Sequence, residues 1–153
     1  MVTTTAPPIK TARASDTERV VTVLALAFSA DPIVRWVYPD PHQYWTHGPV
    51  LIRTFGGKAL EHGTAHCAGD YAGAALWLPP AIRPDEDALV ALLERSVAER
   101  TQGEVFGVLE QMDAYHPSEP HWYLPLMGVD PPRQGKGFGS ALLRHALAQC
   151  DRD

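Results

Sequence analysis

The sequence predicts an α+β fold, a mixed central sheet flanked by helices, and three observations carry that prediction. Several segments repeat apolar residues at helical spacing. Others are short apolar runs bounded by turn residues, as strands are. Near the end of the sequence a strand, a glycine-rich turn and a helix follow one another. Strands in meander-like succession beside such a unit fit a layered sheet-and-helix domain. The length of 153 residues suits one domain, and apolar and charged fractions of 45% and 20% are those of an ordinary globular protein.

Residues 1–8, rich in Thr and Pro, are expected to be a disordered arm, with 9–153 as one domain. Residues 9–13 suit a short strand. Ser15-Asp16-Thr17-Glu18 has the form of a capping box, which predicts a helix over 17–29 with Val20, Val21, Leu24 and Phe28 on one stripe. Asp31-Pro32 should end it, because the residue before proline avoids helical torsions. Residues 36–41 read as an aromatic turn, and 50–61 as a helix weakened by Gly56-Gly57.

Residues 64–67 and 71–78 read as a strand pair joined by Ala68-Gly69-Asp70, the second strand ending at Pro79-Pro80. Proline and acids at 84–87 open a helix whose stripe is Leu89, Leu92, Leu93 and Val97. A further helix is expected over 105–115 and a strand over 121–129. Pro131-Pro132 breaks that strand, and the last helix runs over 138–150.

A formal charge of −5 without any basic run argues against a nucleic-acid partner. The N-terminus has neither basic flank nor apolar stretch, and residues 20–30 are about half as long as a membrane span, so no membrane partner is expected. Two distant cysteines, Cys67 and Cys150, point to a reducing compartment, and the expected location is the cytoplasm. The histidines show no metal-type spacing: His62 and His66 are four apart, but Gly63 interrupts the helix that would align them. No metal is expected.

The chemistry is concentrated in Gln134-Gly135-Lys136-Gly137-Phe138-Gly139-Ser140. A helix opening after a glycine turn gathers free N–H groups and the positive end of the helix dipole at one point. Glycines let the backbone approach a phosphate closely, and Lys136 adds charge. The spacing is not that of a Walker A loop, and the third glycine comes one residue early for the dinucleotide fingerprint.

The pattern Q/R-x-x-G-x-G/A fits, with Gln134, Gly137 and Gly139 in its fixed positions. With the preceding strand and the linker Asp130-Pro131-Pro132-Arg133, it resembles the GNAT superfamily of N-acetyltransferases. The run HWYLPLMGVDPPRQGKGFGSALL, together with DPIVRWVYPD near the N-terminus, is most similar to the puromycin-acetyltransferase-like branch. The resemblance implies an N-acetyltransferase that moves acetyl from acetyl-coenzyme A to a primary amine of a small molecule. The turn residues Gln134, Gly135, Lys136, Gly137, Phe138, Gly139 and Ser140 would cradle the pyrophosphate. Met127, Gly128 and Val129 would contact the acetyl-pantetheine, a strand N–H polarising the thioester carbonyl.

The acceptor amine must lose a proton before it attacks. Tyr123 stands where some members of the family place a carboxylate base, yet tyrosine is a poor base near neutral pH. Glu119 and His121 suit the task better chemically. His121 and Tyr123 share a face by the two-residue period of a strand, and a core-lining Tyr123 and a surface His121 are the plainer alternatives. Trp36, Tyr38 and Asp31 could border the acceptor or simply cover the core. The resemblance also implies a further strand, a helix with a tyrosine acid and two closing strands after the last helix. The chain ends at Asp153, so the expectation is a truncated domain lacking those strands, with 124–129 at a free edge through which a homodimer could form. The alternative function is a coenzyme-binding or interaction remnant without turnover.

Overall fold

In the computed structural model, which describes residues 6–152, four strands form one sheet whose spatial order follows the chain. They are β1 (Ile9–Thr11), β2 (Ala65–Ala68), β3 (Gly73–Leu78) and β4 (Tyr123–Val129), and all three pairings are antiparallel. Every residue of β2 and β3 is buried, because helices cover both faces of the sheet. β4 is an edge strand, and its residues are all half-buried.

One face packs against α1 (Thr17–Ala27), α3 (Pro41–Gly56) and α4 (Lys58–Glu61). There Val20, Leu24, Ile52 and Ala59 meet Cys67, Ala74, Leu76 and Leu78. The other face carries α7 (Phe138–Cys150), whose Leu142 and Ala146 lie on Ala68, Ala75 and Trp77. A separate apolar lobe joins α2 (Pro32–Val37) and α3 to α5 (Glu86–Ser96) and α6 (Glu99–Tyr115), around Tyr38, Tyr44, Leu89 and Leu93. Among the described residues, no helix is long and apolar enough to cross a membrane.

β4 contains a bulge. Leu76 faces Leu126, but Leu78 faces Tyr123, so β4 spends three residues where β3 spends two. Pro125 lies in that stretch, which suits a residue with no N–H to give a ladder. The extra residue resets the alternation: Leu124 packs on the α7 face, whereas Leu126, two positions on, packs on the α1 face.

The expected strand pair, the α5 stripe and the bounds of the last helix agree with this architecture. Several local expectations do not, among them the helix expected from 105, which begins at Glu99 as α6. Ser15 caps nothing; it sits in a 3-10 turn, and the Asp16 carboxylate folds back to accept the Arg13 N–H at 2.8 Å. The aromatic turn is mostly helix, because Asp31 caps α2 by accepting from the Ile33 and Val34 amides, with Pro32 at the first helical position. In the same way Asp40 accepts from the Gln43 amide, and α3 starts nine residues before the expected helix at 50.

Residues 1–5 of the expected disordered arm lie outside the described residues. Pro8 is held, its carbonyl accepting the Gly69 N–H at 2.8 Å.

Candidate active site

The two ends of β4 carry the two halves of the site. By strand rise its seven residues span about 20 Å, from Tyr123 to Val129. At the far end the Asp130 N–H donates to the Ala72 carbonyl at 2.8 Å. Bonded pairs alternate along an antiparallel ladder. Gly128 and Leu126 therefore turn their backbone groups toward β3, and Met127 and Val129 turn theirs to the open edge. The Val129 carbonyl is reached there by Gln134 Nε2 at 3.2 Å.

Beyond Val129 a short 3-10 turn (Pro131–Arg133) leads into the glycine segment. Gly135 and Gly137 both have positive φ, 73° and 86°, where a side chain would be strained. A Cβ on either would meet nothing within 4 Å, so the space above the turn is open. Lys136 Nζ donates to the Pro132 carbonyl at 3.1 Å, tying the turn to its linker. A Cβ on Gly139 would make only an ordinary contact, 3.7 Å from Val129 Cγ2.

α7 begins at this turn without a side-chain cap, as α1, α4 and α6 do, whereas in α2, α3 and α5 the aspartates Asp31, Asp40 and Asp85 accept first-turn amides. Among the described helices, only at α7 is the uncapped end preceded by left-handed glycines with open space above them. Its first intrahelical bond runs from the Ala141 N–H to the Gly137 carbonyl at 3.0 Å. The amides of Phe138, Gly139 and Ser140 precede that bond and converge at the positive end of the helix. The Phe138 ring is an anchor: a Cβ on Gly69 would stand 3.1 Å from it, and it belongs to the α7-face cluster. What position 138 offers a ligand is its amide.

Gly128 has a structural cause of its own. A Cβ there would lie 2.6 Å from Ala27 Cβ and 3.3 Å from Leu24 Cδ2, so its bareness lets α1 approach the sheet. Its neighbours Met127 and Val129 offer the open edge.

At the other end of β4 a cavity of about 800 Å³ opens between α3, α5 and α6. Phe55, Ile82, Leu89, Phe106 and Met112 form apolar walls, and Arg83, Glu86, Glu110, Asp113, His116, His121 and Tyr123 supply the polar groups. Arg83 bridges two helices at the rim, donating to Glu86 at 2.9 Å and Asp113 at 2.6 Å. Burial raises the Tyr123 phenol above its ordinary value, opposed only by Arg83, so Tyr123 keeps its proton at neutral pH. It can donate a hydrogen bond but is not set up to act as a base.

His121 is brought into the same cavity as Tyr123, although it precedes the strand proper. The Glu119 side chain is exposed; the structure brings its carbonyl, 2.6 Å from His121 Nδ1. His116 was not singled out by sequence reasoning. It stands at the end of α6, its ring centroid 4.7 Å from those of both His121 and Tyr123. No motif relates positions 116 and 121, since the pair is made by the irregular turn between α6 and β4. Trp36, Tyr38 and Asp31 have structural duties: Tyr38 is buried with its hydroxyl 2.7 Å from Ser96 Oγ, Trp36 packs on the same lobe, and Asp31 caps α2.

Residues 68–153 match the acetyltransferase (GNAT) family. Among solved structures, the chain resembles a histone acetyltransferase HPA2 and related acetyltransferase from Corynebacterium glutamicum, with 27% identity and a TM-score of 0.63. That match covers 95% of this chain and 72% of the other. A mosquito arylalkylamine N-acetyltransferase like 5b shares the fold at 16% identity and a TM-score of 0.59, over 96% of this chain and 72% of its own.

Proposed function

This chain belongs to the acetyltransferase (GNAT) family, and we propose that it moves acetyl from acetyl-coenzyme A to a primary amine of a small molecule. The observation that carries the proposal is the uncapped start of α7 at the end of an open strand edge. Three convergent amides, left-handed glycines and open space above them suit a pyrophosphate. Gln134, Gly135, Lys136, Gly137, Phe138, Gly139 and Ser140 would hold it, and Met127, Gly128 and Val129 would line the pantetheine arm. When bound, the coenzyme supplies an activated acetyl thioester. The chain's own part is to orient it along β4 and to offer an outward amide to its carbonyl oxygen.

The cavity at Tyr123 supports a small-molecule acceptor. Its volume lies within the range of about 300–1,000 Å³ typical of such sites, and its walls are largely apolar. The similarity of residues 120–147 to the puromycin-acetyltransferase-like branch favours the same class. Glu119, His121 and Tyr123 are assigned to the acceptor end, where the amine must be deprotonated. The proposal includes a cytoplasmic location, in keeping with a sequence that has only two cysteines, far apart. It also includes a homodimer through the free edge of β4.

Titration calorimetry with acetyl-coenzyme A, then a thiol-release assay with 2-phenylethylamine, butylamine, an amino sugar and a lysine peptide, tests this. Saturable binding and release driven by one of the small amines is expected. A Gly139→Ala variant should melt like the parent, since its new Cβ has room, but bind the coenzyme at least tenfold more weakly. Absence of saturable binding would sink the proposal, and turnover of the peptide alone would move the acceptor to a protein.

A further inference from the structure

The histidine pair at the acceptor cavity has a direction. His121 Nδ1 lies 2.6 Å from the Glu119 carbonyl, and a carbonyl can only accept, so Nδ1 carries the hydrogen. In the neutral ring His121 Nε2 is then a bare lone pair. It lies 3.0 Å from His116 Nε2, so that hydrogen bond requires His116 to carry its own hydrogen on Nε2. This leaves the lone pair of His116 on Nδ1, which has no hydrogen-bond partner among the described residues.

We propose that His116 Nδ1 is the atom that takes the proton of the incoming ammonium, and that His121 carries the resulting charge. This rests on the amine-acetylation reading above. A proton arriving at His116 Nδ1 lets the Nε2 hydrogen pass to His121 Nε2, and the imidazolium formed on His121 keeps its Nδ1–H on the Glu119 carbonyl. Glu119 thus acts through its backbone, as a positioning group that holds the tautomer.

The stoichiometry requires one such acceptor. An ammonium has three N–H hydrogens and the product amide keeps one. As the C–N bond forms and the C–S bond breaks, one hydrogen ends on the thiol sulfur, and one must go to the protein and then to water. Tyr123, which packs edge-on to His116, keeps its own proton and so is not that acceptor. The charged groups that line the cavity with the pair are Arg83 on the loop before α5, Glu86 on α5, and Glu110 and Asp113 on α6; Arg83 holds both Glu86 and Asp113. Among the described residues, no group of three or more His, Cys, Asp or Glu is placed to hold a metal ion.

Two measurements test the pair. Long-range proton–nitrogen spectra of the imidazole-labelled chain should show His116 as the Nε2–H tautomer and His121 as the Nδ1–H tautomer. His116 with its hydrogen on Nδ1 would overturn the proposal whatever the activity. In the thiol-release assay, with the small amine turned over fastest, His116→Ala should lower kcat by about 10²–10⁴-fold. Its acetyl-coenzyme A dissociation constant should stay unchanged, and added imidazole should restore part of the rate. A control His42→Ala, at an exposed position, should behave as the parent. If the parent turns over an amine and His116→Ala does so equally well, the relay is wrong and the acetyltransferase reading stands. If the parent turns over no amine, that reading falls and takes the base role with it.

Discussion

At the scale of single residues, the clearest titration lies far from the cavity. His66 on β2 is 1% exposed, its ring centroid 4.6 Å from that of His145 on α7. Burial, reinforced by His145, pushes its pKa down to about 4, against an ordinary imidazole value of about 6.5. Between those values the unfolded chain binds a proton that the folded chain refuses, so stability rises with pH across the window and is lost on acidification from about 6.5 toward 4. The loss from pH 7 to pH 5 should be up to about 2 kcal/mol. Urea midpoints at the two pH values measure it. A His66→Gln variant should show a flatter dependence, and an unaltered slope would assign the acid sensitivity to other groups. Gly128 carries a different lesson at this scale. In sequence it reads as part of a ligand-lining run, whereas the structure explains its bareness by the approach of α1, a contact that no local pattern announces.

At the scale of elements, legibility followed how local the cause was. α7 was legible to the residue because the proline break, the glycine turn and the helix they open are adjacent in sequence. The strand pair and the α5 stripe were legible for the same reason. α2 and the first half of α3 were not, because Asp31-Pro32 reads locally as a stop and Asp40-Pro41 as a turn, while each serves here as a cap followed by a first helical residue. Gly48 and Pro49 inside α3 hid it further; the glycine makes room for the Tyr44 ring, which would stand 3.3 Å from a Cβ there. The capping assignments separate cleanly by substitution. Asp40→Ala should lower stability by about 1 kcal/mol, while Ser15→Ala should leave it within about 0.5 kcal/mol. Denaturant titrations of the two variants decide it, and a larger loss at Ser15 would restore the capping box.

At the scale of the whole molecule, one strand serves two ends. β4 runs from the cavity at Tyr123 to the glycine turn, and its bulge lets Tyr123 and Leu126 face one side while Leu124 and Met127 face the other. Its outer edge is the surface assigned both to the coenzyme arm and to self-association. Those two uses compete for the same backbone groups. Sedimentation velocity at rising concentration should therefore show a dimer that saturating acetyl-coenzyme A dissociates. A dimer indifferent to the coenzyme would place the contact elsewhere. The unfinished first turn of α7 has a thermodynamic counterpart. Three other helices carry their own aspartate caps; under the proposed function the coenzyme supplies the one α7 lacks, and occupancy and folding become linked quantities. At 100 times its dissociation constant, a coenzyme that binds only the folded chain adds about 2.7 kcal/mol. The melting temperature of the protein then becomes a gauge of the coenzyme pool in which it sits.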